Sequence, residues 1–123
     1  LYLVTKLDLD GAAEVFRMPR AVLDGGGGVT ELAVRLPEVG RFVTGADISA
    51  DGAKIAITTY ANVYEWARPA GESIAQALQR PPVRRTSGTN AESIAYAPDG
   101  SSLYAVPEGR NASVYQHAAA DRR

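Results

Sequence analysis

Apolar residues in this chain come in short runs, and each run gives way to Gly, Pro, Asp or Asn within a few positions. That punctuation predicts strands rather than helices. The runs are LYLVTK (1–6), AEVFRM (13–18), TELAVRL (30–36), FVTGADIS (42–49), KIAITTY (54–60), NVYEWA (62–67), VRRTS (83–87), ESIAYA (92–97), SLYAV (102–106) and SVYQHA (113–118). Asp10-Gly11, Asp51-Gly52 and Asp99-Gly100 are turn dipeptides, because Gly and Asp tolerate positive φ. One segment breaks the pattern. In ESIAQALQR (72–80), Ile74 and Leu78 stand four apart and Pro81-Pro82 follows, which predicts a short surface helix. Gly25 to Gly28 read as a flexible loop and 119–123 as a tail.

The pattern repeats. Asp51-Gly52 and Asp99-Gly100 lie 48 residues apart, and that offset also matches Ile55 with Leu103 and Ile57 with Ala105. Val63-Tyr64-Glu65 matches Val114-Tyr115-Gln116 after a three-residue insertion in the later copy. LYLVTK resembles IAITTY, and Val15-Phe16-Arg17 takes the place of Val63-Tyr64-Glu65. A period of 40 to 50 residues with about four strands each is the sequence sign of a β-propeller. A sandwich competes with it, but sandwich strands alternate apolar with polar. KIAITTY and ESIAYA are apolar or small on both parities, which predicts burial on both faces.

APDGSSLYAV and SADGAKIAI resemble the Asp-Gly repeats of bacterial TolB-like propellers, which have WD-repeat-like blades. The resemblance implies an all-β segment of about two and a half four-stranded antiparallel blades with one short inserted helix. Residues 1–118 would form it, as blade parts 1–36, 42–88 and 91–118. So few blades cannot close a ring, since propellers have about four to eight. The expectation is a piece of a larger propeller, favoured by ends that fall mid-blade, or self-association through open blade edges. ESIAYAPDGSSLYAVPEG also resembles, more weakly, a stretch of esterase-like phytase and gluconolactonase-type propellers. Ser93 departs from that pattern, which has Gly there. This resemblance implies Glu92 as a ligand to Ca²⁺ or another divalent cation.

Three acids are the candidate ligand-binding residues. Glu92 stands where the earlier copy has Thr44, so it is a departure from the repeat rather than part of it. Glu108 follows in a Pro-Glu-Gly turn. Asp47 lies in a strand of small residues and must be paired or hydrogen-bonded if buried. Asp8, Asp10 and Gly11 resemble the start of a calcium loop, but its twelfth position is Pro19 rather than Glu. The tetraglycine lacks the Lys-Ser/Thr of a phosphate loop. His117 is the only histidine, and no Gly-x-Ser-x-Gly elbow accompanies it. Asn111-Ala112-Ser113 matches the glycosylation triplet. Trp66, Tyr60, Tyr64 and Tyr115 are expected between blades and around the rim.

Composition narrows the partners. With 13 basic and 14 acidic residues there is no excess to attract nucleic acid. No apolar run reaches the roughly 20 residues that cross a bilayer as a helix. There are no cysteines, so disulfides and thiolate metal sites are excluded. The start lacks Met and any signal-peptide pattern, which suggests that the natural N-terminus lies upstream. The leading expectation is a non-catalytic scaffold that binds a protein or small-molecule ligand at the propeller face. The alternative is a fragment of a metal-dependent hydrolase of esters, phosphoesters or lactones.

Overall fold

The computed structural model describes residues 1–6 and 11–121. The Asp8, Asp10 and Asp10-Gly11 readings therefore fall on, or depend on, residues outside those described. The described chain is predominantly β and forms three antiparallel sheets in sequence order. The first holds β1 (Tyr2–Val4), β2 (Ala13–Arg17) and β3 (Glu31–Leu36). The middle sheet holds β4 (Val43–Ile48), β5 (Lys54–Thr59), β6 (Asn62–Ala67) and β7 (Val83–Thr86). The third holds β8 (Ala91–Tyr96), β9 (Ser102–Pro107) and β10 (Tyr115–Ala118). Within each sheet, sequential strands are neighbours. Among the described residues, no helix is long and apolar enough to cross a membrane.

The middle sheet is buried on both faces. Ile55, Ile57, Tyr64 and Trp66 pack toward the first sheet, against Val15, Leu36 and the partly buried Tyr2 and Val4. Ala56 and Val63, of opposite parity, pack toward Ile94, Tyr96 and Leu103 of the third sheet. The β5 run is thus apolar or small at every position because both its faces are covered. The β8 run is not. Ser93 and Ala95 are exposed, since no sheet of the described chain covers the far face of the third sheet. The expectation of two-sided burial fails there for want of a neighbour.

The repeat is visible in backbone detail. Ser49 N–H donates to Lys54 O at 3.0 Å and Gly52 N–H to Ser49 O at 2.7 Å. The counterparts 48 residues on are Ala97 N–H to Ser102 O at 2.9 Å and Gly100 N–H to Ala97 O at 2.8 Å. Gly52 and Gly100 sit at φ 68° and 67°. Each preceding Asp accepts the backbone N–H two residues on, Ala53 at 3.0 Å and Ser101 at 2.9 Å. The Ser101 N–H and hydroxyl bonds hold the Asp99 carboxyl below its ordinary value. β4 and β8 each carry an irregularity near their start, between Val43 and Gly45 and between Ala91 and Ser93.

The predicted helix is the short α2 (Ile74–Leu78), capped by a reciprocal Ser73–Gln76 box. It is less superficial than expected. Ile74, Ala77 and Leu78 join the core shared by the first and middle sheets. A helical turn, α1 (Arg20–Leu23), precedes the glycine loop and was not anticipated.

Polar grips join the middle and third sheets. Asp47 Oδ2 accepts Tyr96 N–H at 2.8 Å, and the Thr44 hydroxyl donates to Ala91 O at 2.6 Å. Glu65 is 2% exposed and lies at the centre of the largest grip. It is ion-paired with Arg85, and its Oε1 accepts the Tyr96 hydroxyl at 3.1 Å and Ala120 N–H at 3.1 Å. Arg85 also donates to Ala118 O at the end of β10 at 2.6 Å, and with the Ala120 bond this ties down the start of the predicted tail. Burial pushes the Tyr96 phenol above its ordinary value, keeping it a neutral donor.

Two stability predictions follow from this packing. A Cβ on Gly45 would lie 3.1 Å from Ile94 N and 3.2 Å from Ser93 Cα, both backbone atoms. Gly45→Val should therefore lower stability by about 1–3 kcal/mol through overpacking, read as a lower urea midpoint at unchanged slope. Glu65→Gln replaces one of two buried acceptor oxygens with a donor amide that faces the Ala120 N–H or Arg85, and leaves Arg85 without its counter-charge. It should cost about 1–3 kcal/mol and speed hydrogen exchange at the Ala120 amide. Unchanged exchange there would show that the carboxylate does not hold the tail.

Candidate functional site

The corresponding ends of the three sheets meet at one rim. The chain leaves β1 through Lys6, β5 through Tyr60 and β9 through Glu108, and these three positions are equivalent in the repeat. The first strands of the middle and third sheets begin at this rim, each preceded by a residue with left-handed backbone, Phe42 at φ 68° before β4 and Asn90 at φ 48° before β8. These two are also equivalent, 48 residues apart. Asn adopts that conformation readily, whereas a bulky aromatic there is an outlier. The shared backbone shape explains the strain: the repeat imposes the turn, and Phe42 accepts it.

Glu92 owes its position to the same architecture. Val43 pairs with Thr59 and Gly45 with Thr58, so Thr44 is the extra residue of a β-bulge. Ala91 pairs with Pro107 and Ser93 with Val106, so Glu92 is the bulged residue of the third sheet. Bulges re-aim a side chain relative to the pleat. In the middle sheet the re-aimed Thr44 grips Ala91. In the third sheet the same device presents Glu92 to an open cleft of about 580 Å³ lined by Tyr60, Thr89, Asn90, Pro107 and Glu108.

Lys6 supplies the opposing charge. Its ammonium lies 5.6 Å from the centre of the Tyr60 ring. The neighbouring Tyr60 phenol first, and the charges of Glu92 and Glu108 after it, raise its pKa above the ordinary 10.5. Phe42 stands beside it. Its ring is 6.2 Å from that of Tyr60, and its N–H donates to Lys6 O at 2.9 Å. The rim therefore combines two carboxylates, one ammonium and two aromatic rings at an open surface. That chemistry suits recognition of a polar ligand carrying a cationic group, by charge and by ring faces.

Of the three acids read from the sequence, two converge here and one does not. Glu92 and Glu108 line one cleft. Asp47 is occupied by Tyr96 N–H and joins two sheets. A divalent cation fits this rim poorly. A hard cation takes six or more oxygens. Among the described residues no group of three or more His, Cys, Asp or Glu gathers to hold one. Lys6 adds a positive charge to the same rim. His117 lies on β10 opposite Leu103, away from the rim strands' ends. Tyr64 and Trp66 stack at 6.4 Å within the core, and Trp66 Nε1 donates to Arg80 O at 2.8 Å, so both are structural.

Sequence reasoning missed Lys6 and Phe42. The signal was present: the repeat that aligns Thr44 with Glu92 also aligns Lys6 with Tyr60 and Glu108, and Phe42 with Asn90. No known protein family's sequence profile matches this chain, and no curated protein matches it.

The strained aromatic gives a direct test. Phe42→Asn should raise stability by about 1 kcal/mol by relieving the left-handed strain, seen as a higher thermal midpoint. A loss of stability would mean that ring contacts with Tyr60 outweigh the backbone cost.

Proposed function

We propose that this chain is a non-catalytic binding scaffold of the β-propeller kind, and that the rim of Lys6, Phe42, Tyr60, Glu92 and Glu108 holds its ligand. Three antiparallel sheets in sequence order, with the middle one covered on both faces, support the propeller reading. The repeated hairpins and bulges at one offset support it further. One observation carries the binding reading. At a rim where the backbone repeats, the side chains do not, and the substituted positions gather charge and aromatic surface around one cleft. The cluster formally carries two negative charges and one positive, so the ligand group it favours is basic, an arginine or lysine side chain of a protein partner or a small amine.

The test is an NMR titration of the chain with a short arginine-containing peptide and, separately, with Ca²⁺. Peptide-induced shifts confined to Lys6, Phe42, Tyr60, Glu92 and Glu108, and lost in the Glu92→Gln, Glu108→Gln double variant, are expected. Saturable Ca²⁺ shifts at Glu92, together with Ca²⁺-dependent cleavage of an ester or lactone, would replace this reading with the hydrolase one. No response to either probe at millimolar concentration would remove the rim as a site.

A further inference from the structure

We propose that two copies of this chain dock head to tail, the third sheet of each covering the first sheet of the other, to give a closed pair of six sheets. This goes beyond ligand binding at the rim and rests on the two faces that the described chain leaves open.

The first sheet's open face carries an apolar row beside the Glu14–Arg35 ion pair. Leu3 pairs with Phe16 and Phe16 with Leu32, making one cross-strand row. Leu3 is 43% and Leu32 52% exposed. In the middle sheet the equivalent row includes Ile57 and Tyr64, and it is buried against the sheet before it. The same row in the third sheet, Ile94, Ala105 and Tyr115, buries Ile94 and Ala105 against the middle sheet, while Tyr115 stays exposed. The third sheet's open face is the row Ala95, Tyr104 and Gln116. Its counterpart in the middle sheet, Asp47, Ala56 and Glu65, is the row that meets the following sheet. The two open faces are thus the two halves of an interface that the chain already makes twice internally.

Their differences also match. The middle sheet grips the innermost strand of its follower through Thr44 and Asp47. The third sheet has Glu92 and Ala95 at those positions and lacks both grips. The first sheet begins at the strand equivalent to β5 and, among the described residues, has no innermost strand to be gripped. A small Ala95 beside a flat Tyr104 suits a row of larger apolar side chains. Uncovered, the Leu3–Leu32 row would be an apolar surface of the sort that drives association. The contact is heterologous, and a pair closes because each copy uses each face once. Six sheets fall within the four to eight of closed propellers.

Light scattering on the 123-residue chain across the micromolar range tests this. The expected mass is twice that of the chain. Leu3→Glu and Ala95→Arg, each checked by circular dichroism, should each fall to the single mass. Mixed in equal amounts they should regain a one-to-one pair, because one interface between them is intact. That pair should dissociate at a concentration at least about tenfold higher than the parent pair. If Leu3→Glu unfolds, Leu32→Lys takes its place. A monomeric parent chain, an open-ended series of sizes, or a mixture that stays monomeric would each overturn the proposal.

Discussion

A sheet covered on both faces has no side reserved for polar residues, and the rest of this molecule follows from that constraint on the middle sheet. Each strand position must be apolar, small or fully hydrogen-bonded. Ile55, Ile57 and Trp66 meet the requirement by size, and Ala56 and Gly45 by absence of size. Gly45 is the limiting case, since the backbone of the third sheet lies where its Cβ would be. Thr44, Asp47 and Glu65 meet it by finding partners across the gap. The charged residues of the middle sheet's third-sheet face are therefore fixtures of the interface. A carboxylate as buried as Glu65 is tolerated because Arg85, Tyr96 and the Ala120 amide together satisfy both its oxygens.

The same backbone serves two purposes at the rim. A left-handed residue, a bulge and an Asp-Gly hairpin recur in the middle and third sheets at one spacing. In the middle sheet the bulged side chain is consumed by packing, because another sheet stands beside it. In the third sheet no described sheet stands there, so the bulge aims its side chain at solvent. The scaffold thereby creates a half-buried, geometrically fixed position at Glu92, facing an open cleft, without new backbone. Phe42 is the converse: a position that the repeat suits to Asn carries a bulky ring, and the strain is retained where the ring meets Tyr60. Backbone strain that persists beside an open cleft is a pointer to recognition.

Much of this was legible in the sequence. Strands and hairpin turns were marked by apolar runs and Asp-Gly pairs, and the 48-residue offset related the last two sheets. The departure at Glu92 was visible as a mismatch between copies. Other features were not legible because they depend on neighbours rather than on local pattern. ESIAYA has the composition of a strand buried twice, yet only one of its faces is covered. Glu65 reads as an outward charge within NVYEWA, and only the approach of Tyr96 and Arg85 makes it internal. Lys6 reads as the polar end of a strand, and its role emerges when three strand ends from different sheets meet. Ile74 and Leu78 indicated a helix but not that its apolar side would seal the first two sheets.

Comparison between copies separates structure from function more sharply than residue type does. Asp47 and Glu92 are both acids in β-strands, and both invite a catalytic or metal-binding reading. Asp47 sits in the register row that meets the next sheet, and its carboxylate is spent on a backbone amide. Glu92 replaces a threonine whose own work was to grip such a sheet. Where the grip has no object, the position is released from packing and can carry a group chosen for another purpose. Glu108 and Lys6 occupy a position that bears an aromatic in the middle sheet, so neither is dictated by the fold. Two carboxylates and an ammonium at released positions form a charge pattern that packing does not require, and that surplus is the ground on which the binding surface is proposed.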